Sequence, residues 1–216
     1  MKNINRSLIQ LTGLMNSDKK FAFINISKSS IIGLNKKNEK TFPSNVSKEI
    51  INSINLSGDR VMKNVSYDLM KEVQDGKYST IGLNKEIYYH YPNVFEYYLE
   101  NNKPVFDSLI SFYITNTPSV VVSLHDQKRI SNVLGLKKNI INISYTSMYD
   151  KYEEIFDQLK NLNGKVQYCL LDCSSLGLAL SHKIWNELDM SIIDLGKTLN
   201  FTKDNNHQSA NPINAK

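Results

Sequence analysis

The second half of the chain alternates short apolar runs with longer segments of helical periodicity. The short runs are typical of buried strands and lie at 118–124, 139–143, 166–171 and 191–194. Apolar residues three and four positions apart predict helices over 126–134, over 147–162 and from 174 or 175 onward. Gly135 suits the end of the first helix, and Ser147 and then Ser174 or Ser175 suit the starts of the others. This alternation indicates a parallel sheet covered by helices.

The first half carries the same kinds of element in a less regular order. Helical spacing is found at 8–15 and, beyond a polar loop, from 47 to 73, whereas strands are predicted at 21–26 and 78–83. Aromatic residues crowd 86–113, which predicts helices that cover the sheet, with a stacking surface for a sugar or a base as the alternative. The expected fold class is α/β, a single mostly parallel, Rossmann-like sheet flanked by helices. Its strands are predicted near Phe21, Ile81, Val120, Ile141, Val166 and Ile192.

Composition bounds the size and setting of this fold. A chain of 216 residues, 41% hydrophobic and 22% charged, can bury one substantial core. We expect one domain over 1–202 and a disordered polar tail over 203–216, where apolar periodicity is missing. No run approaches the roughly 20 apolar residues of a membrane span, and the amino terminus lacks a signal-peptide core. These features predict a cytoplasmic protein.

The charged residues and the cysteines narrow the classes of partner. The net charge of +5 comes almost entirely from lysine, and base readout favours the planar fork of arginine, so nucleic acid is an unlikely partner. Cys169 and Cys173 lie four apart on a predicted strand, a separation of roughly 13 Å at about 3.3 Å per residue. A disulfide needs its Cα atoms within about 7 Å, so buried thiols are expected.

Candidate binding residues cluster where the predicted strands end, because parallel sheets bind ligands beyond the carboxyl ends of their strands. Backbone N–H groups near Ser174 and Ser175 would suit a phosphate at a helix start, although an ordinary capped helix would look the same. Lys28 and Lys197 could supply charge to a diphosphate, or be solvated lysines. The remaining candidates at these ends are Ser27, Ser30, Asn84, Asp194 and Gly196.

The common catalytic motifs are missing from the sequence. It contains no G-x-x-x-x-G-K-[ST] loop, no G-x-G-x-x-G and no G-x-S-x-G, and its four histidines lack metal-ligand spacing. His125 and Asp126 follow a predicted strand, but adjacent residues rarely face the same point. Asp172 and Asp194, each at the end of a core strand, are therefore the stronger acid candidates.

Residues 21–30 align with a strand of the type F-x-F-v-R-l-G-D-G-E, 171–177 with l-s-a-G-p-l-G, and 193–200 with i-D-l-G-x-x-l-d. Through these segments the chain resembles the GT-D-type glycosyltransferase fold, including the phage and bacterial domains similar to it. The last match is the most specific, and residues 81–83 resemble the family's short G-i-p strand end. The resemblance spans roughly Leu8 to Phe201. It implies an α/β fold that binds a nucleotide sugar.

The acidic motif of that family is altered in this chain. Lys28 and Ser30 stand where the aspartate and glutamate implicated in holding the metal and the diphosphate are expected. Divalent cations prefer carboxylate oxygens, so we expect no metal at residues 27–30. Lys28 could replace the metal as counter-charge in a metal-independent transferase, with Asp194 orienting donor or acceptor. Alternatively the site is inactive, and a phage or accessory protein uses the fold to bind a protein partner or a nucleotide.

Overall fold

The chain forms an α/β fold around one parallel sheet. The computed structural model describes residues 2–35, 42–65, 67–78, 81, 83, 93–137 and 139–200. The six strands are β1 Ala22–Ile26, β2 Val61–Val65, β3 Ser119–Ser123, β4 Ile140–Asn142, β5 Tyr168–Asp172 and β6 Ser191–Asp194. They lie in the order β2-β1-β6-β5-β3-β4, and every neighbouring pair is parallel. The predicted fold class is confirmed.

Helices connect these strands and cover both faces of the sheet. The α-helices are α1 Lys2–Met15, α2 Lys28–Asn35, α3 Ser44–Asn55, α4 Tyr67–Gln74, α5 Val94–Asn101, α6 Lys103–Leu109, α7 Gln127–Leu134, α8 Tyr152–Lys160 and α9 Ser174–Glu187. A π-helical segment, Ile110–Thr115, extends α6, and short 3-10 turns span Tyr145–Ser147 and Thr198–Asn200. Among the described residues, no helix is long and apolar enough to cross a membrane.

The core divides into two apolar layers, one on each face of the sheet. The first face packs against α2, α3, α4, α8 and α9, and the second face packs against α1, α5, α6 and α7. Alternate strand residues enter alternate layers: Val120 and Val122 lie on the first face and Val121 on the second. Strands buried on both faces need apolar side chains at nearly every position, which explains the continuous apolar runs in the sequence.

The helical structure predicted from 47 to 73 is confirmed in α3 and α4 and is wrong at 61–65, which form β2. Helix α3 ends at Asn55, a turn through Gly58 follows, and β2 then pairs with β1 along its whole length. Val61, Val65, Leu69 and Val73 are four apart, a spacing that a helix would also produce. Pairing with β1 overrides that local pattern, because it satisfies the backbone hydrogen-bonding groups on the inner side of β2, which is an edge strand of the sheet.

The strand predicted at 78–83 is also wrong where the structure describes it. The N–H of Ile81 donates to Tyr78 O in a turn, so β2 replaces this segment as the sixth strand. Helix α8 begins at Tyr152 rather than Ser147, which belongs to the preceding 3-10 turn. Gly135 does end α7 in the left-handed conformation, as predicted.

Two further predictions concern the aromatic segment and the cysteines. Phe95, Tyr98 and Phe106 are buried on the second face, so the helices there do cover the sheet. The tyrosines at 88, 89 and 91 lie outside the described residues, as do Asn84 and the tail at 203–216. Cys169 and Cys173 are buried free thiols, as expected. Burial raises the pKa of both thiols, which favours the protonated form over the more reactive thiolate.

Candidate functional site

The helices that follow the neighbouring strands β3 and β5 lie on opposite faces of the sheet. After β3, helix α7 packs on the second face, and after β5, helix α9 packs on the first face. This divergence leaves a crevice just beyond the carboxyl ends of the two strands, the position where open parallel sheets bind ligands. Ser123, His125, Asp172 and Ser174 all lie at these two strand ends. We refer to the ends of all six strands on this side as the carboxyl edge.

Asp172 is the buried acid of the crevice. It ends β5, is 5% exposed, and its Oδ2 accepts a hydrogen bond of 2.7 Å from the hydroxyl of Ser123 on β3. Burial raises the pKa of Asp172 to about 7, with a smaller contribution from the charge of Glu96. The Ser123 hydrogen bond and Arg129 act in the opposite direction. Near neutral pH the carboxyl is therefore only partly ionised.

His125 faces Asp172 across the crevice. Its ring Nε2 lies 3.0 Å from Asn200 Oδ1 and 3.7 Å from Asp172 Oδ2. Burial, followed by the charge of Arg129, lowers the pKa of this imidazole. Asp126 points elsewhere, because its Oδ1 accepts the N–H of Arg129 and caps α7. The imidazole is therefore paired with an acid from a different strand and not with its sequence neighbour.

Asp194, the predicted catalytic residue, is a buried carboxyl that connects backbone segments at the carboxyl edge. It ends β6 on the first face, is 5% exposed, and accepts the backbone N–H of Asn25 at 3.2 Å and that of Gly196 at 2.8 Å. Burial raises its pKa to about 8. Helix α9 approaches β5 closely because Gly177 has no side chain: a Cβ there would lie 3.3 Å from both Cys173 Sγ and Leu171 Cβ. Asp194 thus joins β1, β6 and the following turn.

Gly196 and Lys197 form that turn. Gly196 has a φ of +61°, which favours glycine, and a Cβ at this position would displace the Glu96 carboxylate. The N–H of Lys197 donates to the same Glu96 oxygen at 2.5 Å, while the lysine side chain is exposed. Burial raises the pKa of Glu96. The turn therefore brings a third carboxyl to the carboxyl edge.

A chain of hydroxyls joins the amino termini of α2 and α9. Ser27 caps α2 by accepting the N–H of Ser30 at 3.2 Å, and the two hydroxyls lie 2.7 Å apart. The buried Ser30 hydroxyl then bonds the buried Ser175 hydroxyl of α9 at 2.8 Å. Residues 28–30 belong to helix α2, although the sequence placed them in a polar strand end. Two helix amino ends, each with partial positive charge, meet at this point.

Ser174 occupies a backbone conformation that is unusual for serine. It is exposed and has a φ of +53° between β5 and α9. Left-handed backbone at a non-glycine residue costs roughly 1–3 kcal/mol and is common at ligand sites. The predicted side-chain cap is wrong: Cys173 holds the cap position, and no side chain there bonds the helix. Ser175 bonds Ser30 instead.

Lys28 has a carboxylate partner. Its Nζ lies 3.3 Å from Glu72 Oε1, and the same carboxylate accepts hydrogen bonds from Lys77 at 3.0 Å and Tyr78 at 2.8 Å. These bonds, that of Lys77 first, lower the pKa of Glu72 to about 2. Lys28 is thus a half-exposed member of an ion-pair cluster at the start of α2.

Sequence reasoning missed several residues of the carboxyl edge. Ser123, Glu96 and Asn200 each form a hydrogen bond with a predicted residue from another element, and the charge of Arg129 acts on Asp172. Only Ser123 had a local signal, since it ends a predicted strand. Within the described ranges, no group of three or more His, Cys, Asp or Glu side chains could hold a metal ion.

Comparisons with known proteins support the fold and leave the family open. No protein-family model and no curated protein matches the sequence. A solved structure described as domain of unknown function 1792 is similar, with a TM-score of 0.65 and 13% identity. The similarity covers 90% of this chain and 77% of that chain. At this identity the likeness shows a shared fold alone, which is consistent with the GT-D-like, Rossmann-type fold that the sequence resembles.

Proposed function

We propose that this protein binds a nucleotide sugar or a related nucleotide at the carboxyl edge, with the diphosphate against the amino ends of α2 and α9. The observation that carries the proposal is the Ser30–Ser175 hydroxyl bond of 2.8 Å, which holds the two helix starts together. Unpaired N–H groups and the helix dipole make one helix start favourable for phosphate. Two adjacent starts suit the two phosphates of a nucleotide sugar.

The buried acids repel an anion here less than their number suggests. Asp172 and Asp194 have pKa values raised to about 7 and about 8, so both are largely or partly protonated near neutral pH. They add less negative charge than two ionised carboxylates would. A diphosphate can therefore approach the edge without a metal ion to offset two full charges.

Transfer of the sugar is the activity that the resemblance implies for this site. Stabilising the departing diphosphate is usually the largest contribution to such a reaction. In this chain the helix starts would supply that stabilisation, assisted by Lys28 once it exchanges Glu72 for phosphate. We assign Asp194 to positioning, because its two backbone hydrogen bonds fix β1 and the Gly196 turn around the ligand.

A second candidate function is nucleotide or protein binding without transfer. The Lys28–Glu72 ion pair favours it, because the lysine that stands in the altered acidic motif already has a counterion. In that case the protein binds its ligand at the anion site and does not transfer a sugar. Both candidates predict nucleotide binding, and turnover separates them.

The test combines a ligand screen with a charge substitution at Ser174. UDP, GDP and their common sugar conjugates are titrated with and without Mg²⁺ or Mn²⁺, and a ligand that binds the native state raises its melting temperature. Ser174→Asp adds a negative charge at the start of α9, where the helix dipole and the left-handed backbone both tolerate aspartate. We expect unchanged stability and binding weakened at least about tenfold, or about 1.4 kcal/mol.

Ser174→Asn is the matched control, since it has the same shape without the charge. It should bind like the wild type. Equal affinities for Ser174→Asp and Ser174→Asn would contradict placement of the diphosphate at α9. A screen in which no nucleotide shifts the melting temperature at millimolar concentration would end the proposal.

A further inference from the structure

His125 is held in one tautomer by the groups around its Nε2. Asn200 Oδ1, at 3.0 Å, is within hydrogen-bond distance of that nitrogen, and Asp172 Oδ2, at 3.7 Å, favours a proton there through its charge. A neutral imidazole carries one N–H, so Nδ1 retains the free lone pair. A carboxylate that orients one imidazole nitrogen, while the other accepts a proton, is the arrangement that general-base catalysis uses. The ring is partly exposed, with 21% of its side-chain surface accessible.

We propose that His125 is the general base of sugar transfer at the β3–β5 crevice, and that Asp172 is the residue that positions it. The inference rests on the proposed nucleotide-sugar function. The acceptor oxygen forms a bond to the anomeric carbon while the bond from that carbon to the diphosphate breaks. The electron pair leaves with the nucleoside diphosphate. The acceptor proton moves to Nδ1 of His125 and is later released to solvent.

Charges from several elements tune this pair. Arg129, on α7, donates to the carbonyls of Leu199 and Asn200, and its charge lowers the pKa of both His125 and Asp172. Asp126 opposes that effect on the histidine. Burial lowers the pKa of the imidazole more than Arg129 does, which favours the neutral form that can accept a proton.

Asp172 must be ionised to stabilise the imidazolium. Its pKa of about 7 reflects burial and repulsion from Glu96, opposed by Ser123 and Arg129, and Asp194 and Cys173 lie close enough to interact with it. The ionised fraction of Asp172 therefore rises as the pH increases through 7. Turnover should rise with it.

The experiment measures binding and turnover on the same samples. UDP-glucose, UDP-N-acetylglucosamine, GDP-mannose and dTDP-glucose serve as donors, with water as the acceptor, and release of the nucleoside diphosphate is followed. For a donor that binds, His125→Gln should lower kcat by roughly 10²–10⁴-fold, the usual contribution of a general base, with an unchanged Kd. His182→Gln, a partly exposed histidine of α9 paired with Glu49, is the control and should keep wild-type kcat.

Ser123→Ala tests the role of Asp172. It removes the hydrogen bond that lowers the pKa of Asp172, together with the bond that the Ser123 hydroxyl accepts from the backbone N–H of His125. Loss of the bond to Asp172 should move the acidic limb of the pH–kcat profile to higher pH. A structural residue would change stability without moving that limb. An unmoved limb would remove Asp172 from the mechanism.

The outcomes separate the two proposals. Donor binding without turnover, or with equal kcat for wild type and His125→Gln, overturns the general-base assignment and leaves the nucleotide-binding proposal standing. If none of the donors binds, the proposed function fails, and the assignment of His125 fails with it. Binding, loss of kcat in His125→Gln and a shifted limb in Ser123→Ala together support the inference.

Discussion

The two ends of the strands, the amino edge where they begin and the carboxyl edge where they finish, use charged residues in opposite ways. At the amino edge, where the strands begin, Lys20 Nζ donates to the carbonyls of Ile184, Trp185 and Leu188 at the end of α9. Arg60 donates to the carbonyls of Lys19 and Lys20 nearby. At the carboxyl edge, buried acids face hydroxyls and an imidazole. The first edge stabilises the fold with its charges, and the second holds groups that are costly to ionise.

Helix direction explains the difference. In each strand–helix–strand unit the helix runs back against the strand, so helix carboxyl ends, with partial negative charge, gather at the amino edge. A cleft of about 340 Å³ lies there, lined by residues that include Lys20, Pro118, Lys165, Gln167, Asp189 and Ser191. Its size alone would suggest a binding site. Lys20 and Lys165 in this cleft already donate to backbone carbonyls, so we assign the chemistry to the opposite edge.

The largest effect is expected from Lys20→Met at the amino edge. The substitution leaves the carbonyls of Ile184, Trp185 and Leu188 without their donor, and hydrogen bonds to a charged group contribute about 1.5–3 kcal/mol. Urea denaturation should show a loss of about 3 kcal/mol, with nucleotide affinity unchanged. Lys19→Met, at an exposed neighbour, is the control and should change stability by less than about 0.5 kcal/mol. Equal stabilities would contradict the structural role of Lys20.

At the carboxyl edge, stability should fall as the pH rises. Folding raises the pKa of Asp172 to about 7, so the protonated carboxyl stabilises the native state. This contribution is complete at a pH below the pKa of the unfolded chain and is lost as the pH rises through about 7. Between pH 5 and 7, Asp172→Asn should lose about 2 kcal/mol less stability than the wild type. Urea denaturation at both pH values checks this. Equal losses of stability in the wild type and Asp172→Asn would mean that ionisation of Asp172 does not destabilise the native state.

The smallest effect is expected at the hydroxyl pair between α2 and α9. Ser30→Ala and Ser175→Ala each remove one partner of a buried hydrogen bond, which contributes about 0.5–1.5 kcal/mol. In a double-mutant cycle the coupling energy should be about 1 kcal/mol. Nucleotide affinity should fall in both variants, because the helix starts are then less firmly joined. A coupling energy of zero would show that the pair does not hold the two helices together.

The sequence by itself determined most of the strands of this protein and their parallel arrangement. Continuous apolar runs and helical spacing depend on neighbours within one element, so β1, β3, β4, β5 and β6 were predictable, as was the parallel arrangement. The exception is β2, whose residues Val61 and Val65 fit either period. Only the partner strand β1 decides between strand and helix there.

The tertiary structure alone decided which strand-end residues meet. Ser30 and Ser175 are 145 positions apart, Lys28 and Glu72 are 44 apart, and Ser123 and Asp172 are 49 apart. The sequence identified at least one member of each pair and could not join them, because adjacency at the carboxyl edge depends on strand order. That order places β5 beside β3 and β6 beside β1, since each helix must cover an apolar face of the sheet. The hydrophobic periodicity within one element does not indicate this strand order.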